Sequence, residues 1–393
     1  MATFNKTDAI SLVDALNSEG NLSRPIIGNS AIYEASIGKK PVIAWVDGCF
    51  DGMHFGHANL LRQAKQLCDF LIVGVHSDKD IEHNKGPTVM KDRERYLAVA
   101  ACKWSDMVVP NAPYNTEIDV LKYYGCDFCV HGDDITTNSE GVDCYQACKD
   151  ANMYKEVPRT QGISTTELLG RILMLSREHH RRSAQNIDDE QLKNALHQDY
   201  KKNVEPYISP SKKQISSFLP TSKRIIQFAS NRDPSPSDKV VYTDGDFDMF
   251  HIGHIKFLQQ CKALGNFLIV GIHDDMSVNS YRGSNYPIMN INERVLSVLS
   301  CRFVDEIIMS APLDIVPSLF EQFNVTAVVQ NPDKFESNYT FAKNILVKPF
   351  DMIQTTEGVI DRILDQRKFY EERNKKKQQK AQHEDAMKNK QPK

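Results

Sequence analysis

The sequence predicts an α/β protein built from two tandem, doubly wound parallel sheets. Three observations carry that expectation. A loop running from Asp47 to His57 recurs from Asp244 to His254. Each copy follows an apolar, strand-like run and opens an amphipathic helix. Within each copy, continuous apolar runs alternate with helical patterns, as strands buried on both faces do.

In the first copy the predicted strands are 44–46, 71–75, 107–109 and 128–130, with helices starting near Gly56 and at 166–174. At an offset of 197 (57 to 254), Leu61, Gln63, Lys65 and Leu67 match Leu258, Gln260, Lys262 and Leu264. The offset becomes 199 around Ser284-Asn285-Tyr286, pairing Glu94-Arg95 with Glu293-Arg294 and Cys102 with Cys301. A repeat this long is a duplicated domain. The expected division is an N-terminal extension (1–40), a first domain (41–180), a linker (181–238), a second domain (239–365) and a charged tail (366–393). Pro206, Pro210, Pro220, Pro234 and Pro236 mark the linker as irregular chain. Lys375-Lys376-Lys377 and few apolar residues beyond Phe369 and Tyr370 mark the tail as solvated.

A chain of 393 residues, 41% hydrophobic, can bury two cores. A net charge of −3 gives no reason to expect a nucleic-acid partner. No apolar run reaches the ~18 residues of a membrane span, and no basic-then-apolar leader opens the chain. Nine scattered cysteines, an odd count, fit reduced thiols in the cytoplasm. Cys126, Cys129, Cys144 and Cys148 invite a zinc reading. Residues 127–131 read as a strand, however, and side chains three apart on a strand point to opposite faces, so no metal site is expected.

Gly48 is expected to make the sharp turn and to let amides approach an oxyanion. His54 and His57, three apart at a helix entry, can face one ligand. The helix N-terminus adds unpaired amides and partial positive charge. The set suits the phosphates of a nucleoside triphosphate. Neither a neighbouring nucleophile nor a third metal ligand accompanies the histidines.

Asp-Gly-x-Phe-Asp-x-x-His-x-Gly-His, then Lys85-Gly86-Pro87-Thr88-Val89-Met90, Glu94-Arg95 and Arg159-Thr160-Gln161-Gly162-Ile163-Ser164-Thr165-Thr166 resemble the motifs of one family in order and spacing. That family is the cytidylyltransferase branch of the nucleotidylyltransferase superfamily. The resemblance covers 41 to about 175 and again 239 to about 365. The duplication, the stretch from Cys126 to Gly132 and the stretch from Phe218 to Lys223 resemble the members that act on phosphoethanolamine.

The resemblance implies Rossmann-like domains that transfer CMP from CTP to phosphoethanolamine, releasing pyrophosphate and giving CDP-ethanolamine for phosphatidylethanolamine synthesis. It implies that His54, His57, Lys85 and Arg159 are catalytic. Gly48, Cys49, Phe50, Gly56, His131, Gly132, Asp133, Gly162, Ile163, Ser164 and Thr165 would bind nucleotide. Mg²⁺ would accompany CTP, held mostly by phosphate oxygens and water. The attacking phosphomonoester is largely ionised at pH 7 and needs no general base. Catalysis then reduces to aligning anions and neutralising charge. Asp47, Tyr114 and Tyr145 are the head-group candidates. Thr136-Thr137 stands where choline members resemble Pro-Tyr, and losing an aromatic favours a primary ammonium over a quaternary one.

The second copy keeps Gly245, Phe247, His251 and His254, but Lys85 becomes Arg282. His131-Gly132-Asp133 becomes Gln330-Asn331-Pro332, and the Arg159 stretch becomes one containing Asp351. Matching Ile163 to Ile353 makes the intervening segment nine residues shorter. The first copy is therefore expected to catalyse. Asp246, Phe247, His251, His254, Thr355 and Thr356 mark a vestigial or weak second nucleotide site. Phosphocholine or glycerol-3-phosphate as acceptor, or a non-catalytic nucleotide-binding regulator, are the alternatives. His251-Ile252-Gly253-His254 also matches the class I aminoacyl-tRNA synthetase signature, but no Lys-Met-Ser-Lys-Ser-type loop accompanies it. Pairing of the two copies within the chain is expected, with homo-oligomerisation open. Loose association with the endoplasmic reticulum is compatible with the product's use, although 366–393 lacks the apolar stripe of a membrane-sensing helix.

Overall fold

The computed structural model describes residues 9–18, 20, 22–28, 40–160, 162–173, 224–229, 232–283, 285–313, 317–330, 343–346, 355–370 and 372. Most of the predicted linker and tail, and the stretches 331–342 and 347–354 with Asn331, Pro332, Asp351 and Ile353, lie outside the described residues.

The first sheet contains β1 (Ile10–Ser11), β2 (Ile26–Ile27), β3 (Ile43–Gly48), β4 (Phe70–Val75), β5 (Met107–Pro110), β6 (Phe128–Gly132) and β7 (Tyr154–Val157), in the order β1-β2-β5-β4-β3-β6-β7. The second contains β8 (Val240–Gly245), β9 (Phe267–Ile272), β10 (Glu306–Met309), β11 (Val325–Gln330) and β12 (Lys343–Leu346), in the order β10-β9-β8-β11-β12. All neighbours are parallel except β2 with β5. Each sheet winds outward from its first long strand and then crosses to the other side. Ligands bind at that reversal, beyond the strand C-termini. The doubly wound reading holds for both copies.

β7 is not among the predicted strands because its central Lys155 and Glu156 face solvent and carry no apolar signal. Two short strands of the N-terminal extension, β1 and β2, join the first sheet. Gly28 N–H donates to Asp106 O at 2.8 Å, and Arg93 holds α1 (Leu12–Asn17) through Ala15 O and neighbouring Gly20 O.

Strand alternation divides the core. Trp45, Ile72, Met107 and Cys129 pack on one face of the first sheet, and Tyr242, Ile269 and Val328 on the matching face of the second. The opposite faces share a single core, joining Val46, Val73, Leu97 and Cys102 to Val241, Ile255, Leu296 and Cys301. Cys102 and Cys301 meet in an antiparallel bridge, with Lys103 N–H donating to Ser300 O and Arg302 N–H to Ala101 O, both 2.9 Å. This reciprocity is a pseudo-twofold axis.

Two expectations need correction. Cys126 precedes β6, after the left-handed Gly125 (φ 67°), and joins the same cluster as Cys129, Cys144 and Cys148. Strand alternation therefore does not separate them. In the tail, Phe369 is exposed as expected, but Tyr370 is fully buried and donates to Thr88 O at 2.9 Å.

Candidate active site

β3 delivers the first histidine loop and α2 (Phe55–Lys65) receives it. Left-handed backbone at Phe50 (φ 50°) and Gly52 (φ 58°) makes the turn. Gly48 remains strand, with the Phe50 ring 3.3 Å from where a Cβ would lie, which corrects the turning role expected of it. The second copy turns in the same way, at Phe247 (φ 50°) and Met249 (φ 51°).

His54 caps α2: Gly56 N–H donates to its Nδ1 at 3.1 Å, and its own N–H donates to His57 Nδ1 at 3.5 Å. The rings stack with centroids 3.9 Å apart, and Phe50 meets His57 edge-on at 5.5 Å. Because both Nδ1 atoms accept, the neutral rings carry their protons on Nε2. The N-terminus of α2 thus carries two Nε2–H donors within the partial positive charge of the helix end, the Gly56 amide itself being taken by His54. Gly56 is indispensable to this packing. A Cβ there would lie 2.8 Å from an Ile163 methyl and 2.9 Å from the His54 ring.

The Arg159–Thr166 stretch closes over this loop. Gly162 (φ 78°) turns into α7 (Thr165–Leu173; the intervening helices are α3, Asp78–Asn84, α4, Asp92–Ala100, α5, Ile118–Tyr123, and α6, Gln146–Asp150). Ser164 Oγ caps α7 by accepting from Glu167 N–H at 3.1 Å, which leaves its hydroxyl hydrogen for another partner. The Thr165 hydroxyl donates to Asp51 O at 2.7 Å, so it ties α7 to the histidine loop and does not have that hydrogen for a phosphate. Arg159 lies apart from α7. Its N–H reaches Asp133 Oδ1 at 3.0 Å, and its guanidinium pairs with Asp134 at 2.9 Å. Such an exposed pair is worth ~0–1 kcal/mol, little resistance to exchange for a polyphosphate. Asn59 and Gln63 on α2 fix the segment through Thr160 Oγ1 (2.9 Å) and Pro158 O (3.0 Å).

Lys85 caps the C-terminus of α3, with Nζ 3.6 Å from Cys49 Sγ and 5.7 Å from the Tyr114 ring centre. Two residues outside the predicted site hold the loop after it. Asp51 accepts from Val89 N–H (3.0 Å) and Met90 N–H (2.9 Å). Arg95, fully buried, donates to Met90 O, Cys49 O, His76 O and Asp78 Oδ1 within 3.2 Å. The motif and the Glu94-Arg95 pair were visible in the sequence; their partners, distant along the chain, were not.

Asp47 is buried beneath the loop and accepts from Trp45 Nε1 (2.9 Å), Thr116 Oγ1 (2.6 Å) and Tyr145 Oη (2.6 Å), all neutral donors. Burial and the Asp47 charge push the Tyr145 hydroxyl well above the usual range, so it stays a donor. Burial holds nearby His76 below its ordinary value, so it brings no compensating charge. Trp45 was detectable as the residue two before Asp47 on one strand face; nothing local marks Thr116. The Tyr114 ring lies 5.0 Å from the His76 ring at a tilt of 38°, and burial pushes its hydroxyl up to about 12. His131, at the end of β6, lies 4.4 Å from the Tyr145 ring, with Thr136 Oγ1 3.4 Å from its Nε2. A Cβ at Gly132 would lie 2.8 Å from Asp134 Oδ1.

The cytidylyltransferase-like family model matches residues 45–171 and 242–389. Ethanolamine-phosphate cytidylyltransferase of Dictyostelium discoideum is 44% identical over 87% of this chain and 96% of its own length. The protein of that name from Mus musculus is 42% identical, over 86% and 90%. The chain belongs to the ethanolamine-phosphate cytidylyltransferases of the cytidylyltransferase-like family. Choline-phosphate cytidylyltransferase A of Homo sapiens is 42% identical over only 39% of the chain and 43% of its own length.

Within this cytidylyltransferase the second histidine loop is built like the first. Gly253 N–H donates to His251 Nδ1 at 3.1 Å, and the His251 and His254 rings stack at 3.9 Å on the N-terminus of α8 (Ile252–Ala263). Its surroundings differ. Asp246, fully buried in the place of Cys49, binds Arg282 Nε at 2.6 Å, and Arg282 also pairs with Glu357. The cation that replaces Lys85, at the end of α9 (Asp275–Arg282), is therefore neutralised from two sides. His251 Nε2 lies 3.3 Å from Thr356 Oγ1, which donates to Asp248 O at 3.0 Å. That last bond is the counterpart of Thr165 to Asp51, so Thr165 matches Thr356. The true offset is 191, and the second copy is eight residues shorter, not nine (199 against 191). Thr355 is the counterpart of Ser164, capping α12 (Thr356–Asp365; α10 is Ile291–Leu299 and α11 is Pro317–Phe323) by accepting from Gly358 N–H at 3.0 Å.

Proposed function

We propose that this chain transfers CMP from CTP to phosphoethanolamine, giving CDP-ethanolamine and pyrophosphate, and that the first domain alone holds the working site. The carrying observation is the exchange of Cys49 for Asp246. The first copy has a thiol beside Lys85 Nζ, and the second has there a carboxylate that, with Glu357, pairs Arg282.

His54 and His57 donate from Nε2 to the α- and β-phosphates. Lys85 bridges the attacking phosphate and the α-phosphate, reducing their repulsion during in-line displacement. Arg159 exchanges Asp134 for the outer phosphates, and the Ser164 hydroxyl donates at the α7 N-terminus. Among the described residues no group of three or more His, Cys, Asp or Glu side chains is placed to hold a metal ion. A Mg²⁺ arriving on the triphosphate would add charge neutralisation there. Asp47 receives the ethanolamine ammonium: a buried carboxylate with only neutral donors gains most from a compact cation. Among the described residues no helix is long and apolar enough to cross a membrane. All nine cysteines are free, and a cytoplasmic location suits them.

Pyrophosphate release with CTP or ATP against phosphoethanolamine, phosphocholine and glycerol-3-phosphate tests this reading. CTP with phosphoethanolamine should exceed the other combinations in kcat/KM by at least about tenfold, near 1.4 kcal/mol of discrimination. Equal efficiency with phosphocholine would overturn the Asp47 assignment.

A further inference from the structure

The second domain grips the two parts of the first site that the reaction uses. Arg362 on α12 donates through Nη1 to Val89 O at 2.8 Å and pairs with Glu94 at 2.8 Å. Tyr370 donates to the preceding carbonyl, Thr88 O, at 2.9 Å. On the inner side, Asp51 takes the amides of Val89 and Met90, and Arg95 takes Met90 O. All five backbone polar groups from Thr88 O to Met90 O are thereby held, two of them by Arg362 and Tyr370. This is the loop that follows Lys85.

The second grip is the pseudo-twofold mate of the first. Glu293 on α10, nearly fully buried, accepts both Arg171 Nη1 (2.7 Å) and Nη2 (2.8 Å), and Arg171 reaches Ile288 O at 3.3 Å. Arg171 lies on α7, which Ser164 caps and which follows directly on Ile163, the residue packed on Gly56. We infer that Arg362 and Tyr370 position the lysine loop, and Glu293 positions α7, so that the second domain serves as a brace for the first domain's chemistry. The inference rests on the proposed CTP site in the first domain.

Steady-state kinetics on full-length Arg362→Met, Tyr370→Phe and Arg171→Met test it, with Arg171→Lys as a milder variant that keeps charge but loses the bidentate fork. The lysine-loop variants should lower kcat and raise KM for phosphoethanolamine, Arg362→Met by roughly ten- to a hundredfold in kcat/KM, with KM for CTP near wild type. The Arg171 variants should raise KM for CTP several-fold and leave KM for phosphoethanolamine unchanged. Loss of active protein with both KM values intact, or equal changes in both, would overturn the brace. Wild-type enzyme inactive with CTP and phosphoethanolamine would instead overturn the proposed reaction. If Arg362→Met or Arg171→Met does not fold, the same split is read from Tyr370→Phe and Arg171→Lys.

Discussion

Two imidazoles whose Nδ1 atoms both accept backbone amides can present only Nε2 to a ligand, and they do so without spending side-chain entropy on binding. His54→Ala and His57→Ala should each cut kcat by roughly 10²–10³-fold, the usual effect of removing a preorganised donor to developing charge. His251→Ala should stay within about threefold of wild type, because its site holds a neutralised cation. Turnover measured on circular-dichroism-matched protein decides the matter, and loss of activity in folded His251→Ala would assign chemistry to both copies. Sequence reading reached His54, His57, Lys85 and Asp47 because their motif is contiguous. It missed Trp45 and Thr116, it did not foresee the partners of Asp51 and Arg95, and it assigned Thr165 a phosphate where the hydroxyl holds Asp51 O. Those partners lie 2 to 114 residues away along the chain, and what unites them is visible only after folding.

Helix α2 works through its first turn, and that turn tolerates no side chain at its second residue. Gly56→Ala would push a Cβ into both Ile163 and His54. Overpacking of this kind costs ~1–3 kcal/mol. Because the displaced atoms belong to the site, activity should fall further than stability does. Paired measurements of kcat/KM and urea midpoint should show it; equal losses would mean that the contact relaxes harmlessly. The elements legible in advance were those with apolar periodicity, and the structure extends each predicted strand by at most a few residues. β1 and β2 are too short to carry a pattern, and β7 is an edge strand with exposed charge. The register between α7 and α12 could not be read, because chance identity of Ile163 and Ile353 competes with the hydrogen-bond equivalence that fixes it.

Across the whole molecule, one core runs through both sheets' inner faces and two satellite cores lie on the outer faces. The halves should therefore unfold together. Both tryptophans, Trp45 and Trp104, lie in the first half, so their fluorescence reports that half while far-ultraviolet circular dichroism reports both. The two denaturant curves should coincide, as two-state behaviour requires; separated midpoints would show that the halves are energetically independent. The axis between Cys102 and Cys301 has another side. In a pair assembled from identical chains, every substitution strikes both sides at once, and dilution pulls the partners apart. Here the partners share a backbone, so their local concentration is set by the tether and specific activity should not fall on dilution. Each side is also inherited separately. Mutation can tie up the cation of one copy, as Asp246 in the place of Cys49 illustrates, without altering its twin.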